Sequence, residues 1–137
     1  MKMIQTGARI VLGLIYTVFG GMGLAIAFGL MQMPEQEPMP EAAMGFMQGM
    51  MGTGYFFQLL KLTETVFGFL LLIGVVAPAA LVILAPVTLN IFLFHAFLTP
   101  TPGDMALSVV MVIAHIIAMS AYWDIYQPLF QSRKKTT

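Results

Sequence analysis

The stretch "KLTETVFGF", Lys61 to Phe69, sets a lysine and a glutamate three positions apart inside an otherwise apolar run. Two more apolar runs carry His95 and His115, and Asn90 stands five residues before the first of these histidines. An ionisable side chain at the centre of a membrane-spanning helix costs about 3 kcal/mol on insertion scales unless it is paired or wetted, so each such residue marks a candidate site. The chemistry on offer is proton exchange at a carboxylate and two imidazoles, tuned by an ammonium group, with an amide to hydrogen-bond a small ligand. Each group also has a structural alternative. Lys61 and Glu64 can neutralise each other while the lysine stem snorkels outward. Asn90 can bond across helices or answer backbone groups freed by Pro86, and a buried histidine can be a satisfied packing residue.

These residues need elements to carry them, and the composition says what kind. Of 137 residues, 59% are hydrophobic and 9% charged, against about 25% charged in an ordinary soluble domain. So short a chain cannot hide that much apolar surface from water, and lipid must cover part of it. Four runs are long enough to cross a bilayer, at about 9–31, 55–76, 79–98 and 105–123. In lipid every backbone amide must be bonded internally, so the runs are expected to be helices. Short joints make antiparallel neighbours of the second, third and fourth, with Pro78 suited to a first helical turn. The expected fold is an all-α membrane four-helix bundle forming a single domain over 1–137. Reading the first run as a cleaved signal peptide, with "AIA" at 25–27 as its cleavage site, would leave three spans and a less consistent charge pattern.

Charge fixes the expected orientation. Lys2, Arg9, Arg133, Lys134 and Lys135 fall on one side, the cytoplasmic one by the positive-inside rule, while Glu35, Glu37, Glu41 and Asp104 fall on the other. Both termini are then cytoplasmic, with a basic tail over 124–137. From the outer helix ends, Glu64, Asn90 and His115 lie about 12 to 15 Å deep, and Lys61 and His95 are shallower. Five residues thus make a candidate ligand or proton pocket: Lys61, Glu64, Asn90, His95 and His115. Gln58, Lys61 and Glu64 share a side of the second span, and Ser108, His115 and Tyr122 form a stripe on the fourth. Asn90 and His95 diverge by roughly 140° on an ideal helix, subject to a kink at Pro86. The glycines at 20, 21 and 23 are read as sites of close helix packing.

The outer loop, 32–54, ends in a Met- and Gly-rich piece expected to form a short interfacial helix. There Met44, Met47 and Met51 share a face; thioethers are soft Cu(I) ligands, although flexible apolar side chains equally suit an interfacial lid. The sequence has no cysteine, which removes disulfides and thiolate chemistry. No phosphate-binding loop, dinucleotide fingerprint or serine-centred motif occurs, and no basic patch points to nucleic acid.

The run "TGYFFQLLKLTETVFGFLLLIG" followed by "LAPVTLNIFLFHAFL" resembles the DoxX-like family of small bacterial four-helix integral membrane proteins. The matching positions are Arg9, Lys61, Glu64, Gly68, Gly74, Pro86, Asn90 and His95, and the likeness extends over nearly the whole chain. Where many relatives carry a polar Asn or Lys late in the first span, this chain reads "GGMGLAIAFG". The resemblance implies a multi-pass protein of the bacterial cytoplasmic (inner) membrane, an accessory of a quinone-linked or stress-response redox complex. It implies other membrane redox subunits and the lipid bilayer as partners, and a quinone as the ligand to test; a homo-oligomer is compatible with it. Two other readings stand beside it: a non-catalytic scaffold whose polar residues only hold the helices together, and a small proton-coupled transporter.

Overall fold

The computed structural model describes residues 2–35 and 38–132. Glu37 and the basic run Arg133, Lys134 and Lys135, used above to orient the chain, lie outside the described residues. The described residues form six α-helices: α1 (Lys2–Ala27), α2 (Glu41–Gly52), α3 (Phe56–Ile73), α4 (Ala77–Phe97), α5 (Pro102–Ser120) and α6 (Trp123–Tyr126). A 3-10 turn, Gln127–Phe130, follows, and no strand occurs among the described residues. Four of the helices, α1, α3, α4 and α5, are long and apolar enough to cross a membrane. Only 22% to 28% of their most apolar windows is buried inside the protein. Leu14, Phe69, Leu89 and Ile116, one from each, are more than half or about half exposed, a surface suited to lipid rather than to water.

Local chemistry sets most boundaries. Gly74 ends α3 in the left-handed region at φ 80°, with Val75 N–H donating to the Leu70 carbonyl at 2.9 Å, a glycine-closed helix end. Pro78 enters the first turn of α4 as expected. At α5, Thr101 accepts from the Asp104 amide and donates to the Asp104 carboxylate at 2.7 Å, and Pro102 fills the first helical position. α1 starts seven residues earlier than the span expected from 9, because Lys2 to Ala8 can continue a helix beyond the bilayer boundary. It ends earlier too, at a turn where Gly29 takes φ 72°.

The four long helices pack as a square, with α1 against α3, α3 against α4, α4 against α5, and α5 back against α1. The α1/α3 seam is the closest. A Cβ at Gly13 would lie 2.6 Å from the Leu72 amide nitrogen, one at Gly20 2.9 Å from that of Thr65, and one at Gly68 2.5 Å from the Tyr16 Cβ. At Gly23 the facing atoms belong to the lysine stem of Lys61, the nearest at 2.5 Å. Gly13, Tyr16, Gly20 and Gly23 follow helical spacing along one face of α1. Gly21 does not join them, since a Cβ there meets nothing, so of the three glycines expected at a packing face two are used.

Arg9 locks the other end of the seam. Its Nη1 donates to the Leu71 carbonyl and, at 3.2 Å, to that of Leu72, adding to the Gly74 N–H on the first and serving the second at the end of α3, where carbonyls run out of intrahelical donors. Tyr126 ties α6 to the start of α4 by donating to the Pro78 carbonyl at 2.7 Å. Burial pushes its phenol above the ordinary value, so the donor keeps its proton.

Gly68→Ala should therefore lower unfolding stability in detergent by about 1–3 kcal/mol through overpacking. Gly21→Ala should leave it unchanged or raise it by up to about 1 kcal/mol, the helix-propensity gain. Equal effects of the two on the thermal midpoint would contradict this seam.

Candidate functional site

Lys61 and Glu64 lie one helical turn apart on α3, and their side chains meet at 2.9 Å, Lys61 Nζ to Glu64 Oε2. Glu64 is 3% exposed. The lysine stem lies along the face that Gly23 leaves open, and its ammonium stands 5.7 Å from the centre of the Phe57 ring, a cation–π contact. The pair is thus held from two sides. Its second carboxylate oxygen, Oε1, accepts no hydrogen bond among the described residues.

Asn90 and His95 approach the same place from α4. A cavity of about 170 Å³ is lined by Lys61, Glu64, Asn90 and His95, with Phe46, Met47 and Met50 of α2 also in its wall. Phe46 packs against Phe94 with ring centres 5.4 Å apart. His95 stands edge-on to Phe94, and its Nδ1 bonds the Thr99 hydroxyl at 2.8 Å. That leaves Nε2 without a partner among the described residues. The Asn90 side chain makes no hydrogen bond among them either, and the residue is exposed. It does not answer backbone groups near Pro86, through which α4 runs unbroken.

Two further cavities touch the same pair. One, about 410 Å³, continues from Glu64 and Asn90 between Phe56, Leu60, Pro86 and Val87. The other, about 320 Å³, is lined by Lys61, Glu64, His95, Tyr16, Asp104 and Met111 among others. Asp104 enters this wall although its sequence position marked it only as a loop charge.

His115 belongs elsewhere. It lines none of these cavities. Its Nε2 reaches the Leu81 carbonyl at 2.9 Å and its Nδ1 the Thr88 hydroxyl at 2.8 Å. A carbonyl only accepts, so Nε2 carries the proton and the neutral ring accepts from Thr88 at Nδ1. Thr88 in turn accepts from the Tyr16 hydroxyl at 2.6 Å. The result is a directional chain, Tyr16 to Thr88 to His115 to Leu81, joining α1, α4 and α5. Tyr16, Thr88 and His115 are 1%, 4% and 4% exposed. The expected meeting of Glu64, Asn90 and His115 at one level is corrected here: equal depth put His115 beside them in height, while its side chain turns to Thr88 and Leu81.

The methionines also sort differently from expectation. Met47 and Met50 reach the cavity under α2, while Met44 is exposed and Met51 lies outside the lining. Of the trio Met44, Met47 and Met51, only Met47 lines that cavity. Among the described residues no group of three or more His, Asp or Glu side chains is placed to hold a metal ion.

Compared with protein-family models, curated proteins and solved structures, the chain matches none of them.

His115→Leu should leave the Thr88 hydroxyl without its acceptor and lower unfolding stability by about 1–3 kcal/mol. A thermal midpoint equal to that of the native chain would contradict the chain of hydrogen bonds described here.

Proposed function

We propose that this is a DoxX-like protein of the bacterial inner membrane, with both termini cytoplasmic and α2 lying at the outer interface. In this reading it serves a quinone-linked or stress-response redox complex by binding a quinone at the Lys61/Glu64 cavity. Glu64 exchanges the proton and Lys61 tunes it; Asn90 and His95 hydrogen-bond the ring carbonyls. His115 has a different part, holding three helices together through Thr88 and Leu81.

The observation that carries the reading is Glu64: almost fully buried, paired to Lys61, and open to a cavity that Asn90 and His95 also line. The cavity's size supports a single ring, since about 150 Å³ is enough for benzene in an apolar protein site and this cavity measures about 170 Å³. The apolar continuation between Phe56, Leu60, Pro86 and Val87 suits a hydrocarbon tail. Partner subunits would meet the bundle through its apolar outer faces, for which the sequence resemblance is the support. A scaffold reading is favoured by one fact, the closure of Lys61 and Glu64 on each other at 2.9 Å, which lets the pair neutralise itself without a ligand.

Purification in native lipids followed by extraction should yield bound quinone, and adding quinone to the stripped protein should raise its thermal midpoint. Glu64→Gln and His95→Leu should each weaken that binding about tenfold or more, the loss expected for a hydrogen bond involving a charged or buried group. If no quinone is extracted and added quinone leaves the midpoint unmoved, the quinone reading fails. A drop in stability with Glu64→Gln as its only effect would establish the scaffold instead.

A further inference from the structure

The end of the bundle where α1 begins and α5 stops holds a polar cleft that takes no part in the site above. It measures about 230 Å³ and is lined by Lys2, Gln5, Thr6 and Arg9 of α1 together with Ala121 and Tyr122. Ammonium and guanidinium groups only donate hydrogen bonds, and amide, hydroxyl and phenol groups can donate. Among the described residues no carboxylate lines it. The wall is fixed by Gln5, whose Nε2 donates to the Ser120 hydroxyl at 2.9 Å.

Arg9 gives the cleft a positioned charge. Its Nη1 is held by the Leu71 and Leu72 carbonyls, and Gly74 backs it so closely that a Cβ there would stand 2.9 Å from that nitrogen. A guanidinium carries five N–H donors, and those on Nε and Nη2 have no partner among the described residues. The one ion pair among those residues is Lys61 with Glu64, so Arg9 is a half-buried cation with no carboxylate beside it, and Lys2 adds a second positive charge. Next to the lining residues in sequence, Met3, Ile4, Trp123 and Ile125 are all more than half exposed. Aromatic side chains beside basic ones are the composition of a membrane–water boundary, where basic clefts between helices attract anionic headgroups.

We propose that this cleft binds a phosphate anion, supplied by the headgroup of an anionic phospholipid, with Arg9 as the fixed donor and Lys2, Gln5 and Thr6 closing around it. The proposal is independent of the quinone reading, because the residues are different and lie at the opposite end of α1 from Gly23.

The test uses the purified full chain in a neutral detergent, with phosphatidylglycerol, phosphatidylcholine and inorganic phosphate as probes, read by thermal midpoint and by native mass spectrometry of retained lipid. Phosphatidylglycerol should raise the midpoint and stay bound where phosphatidylcholine does not. Inorganic phosphate matching it would keep the phosphate site and make the source a free anion. Lys2→Gln and Thr6→Asp, both at exposed positions that leave the α3 cap intact, should each weaken phosphatidylglycerol binding about fivefold, the effect of about one charge near a headgroup. Phosphatidylglycerol acting no better than phosphatidylcholine on the native chain would overturn the proposal. So would a double variant, Lys2→Gln with Thr6→Asp, that binds it as tightly as the native chain.

Discussion

Lipid tails are as apolar as leucine, so a bilayer offers long apolar helices no hydrophobic reason to prefer one another. Association has to come from close packing and from polar groups that find partners only between helices. The glycine face of α1 meets this constraint first. By removing side chains at 13, 20 and 23 it lets α3 come near enough for its backbone at Leu72 and Thr65 to face α1 directly. The same seam positions the site: the Lys61 stem lies in the space of the missing Gly23 side chain, which aims the ammonium at Glu64. A larger residue at 23 would displace the lysine before it displaced any backbone.

Polar bonding supplies what packing leaves undone. Tyr16 crosses from α1 to Thr88 on α4, and His115 on α5 completes the chain, while Gly68 on α3 packs on the same tyrosine. All four long helices thus meet at one layer. Below it, Leu12, Leu71, Leu81 and Leu84 are fully buried. The bundle is closed at that level, and two of the cavities that touch Glu64 have α2 in their wall.

Much of this was legible in the sequence because it depends on period and length. Four spans, their short joints, the α2 helix, and the buried pair Lys61 and Glu64 all follow from apolar run length and from i, i+3 spacing. The face of α1 that carries Gly13, Tyr16, Gly20 and Gly23 was equally readable, since 3.6-residue spacing lines them up, and it would have separated Gly21 from its neighbours. What spacing within one helix cannot give is the direction each helix turns toward its neighbours. Depth placed His115 level with Glu64 and could not say that it faces Thr88. Arg9 read as a topological charge, because the Leu71 and Leu72 carbonyls it caps lie far along the chain and a carbonyl leaves no mark in the sequence. His95 could be oriented only once Thr99, one turn later, was seen to hold its Nδ1.

The two polar clusters differ in a way that separates holding from binding. In the Tyr16, Thr88 and His115 chain each donor has an acceptor, and it ends on a backbone carbonyl that can pass nothing on. Around Glu64 the pairing is incomplete: Oε1 of Glu64, Nε2 of His95 and the Asn90 amide have no partner among the described residues. Nearby on α3, the Gln58 Oε1 is buried and equally unpaired among them. Of these atoms only the Gln58 oxygen is itself buried, and leaving it without a partner costs about 1–3 kcal/mol. Glu64, Asn90 and His95 thus stay open on a shared cavity while the Tyr16, Thr88 and His115 chain is saturated, and this contrast is what supports the binding role proposed for the Glu64 side.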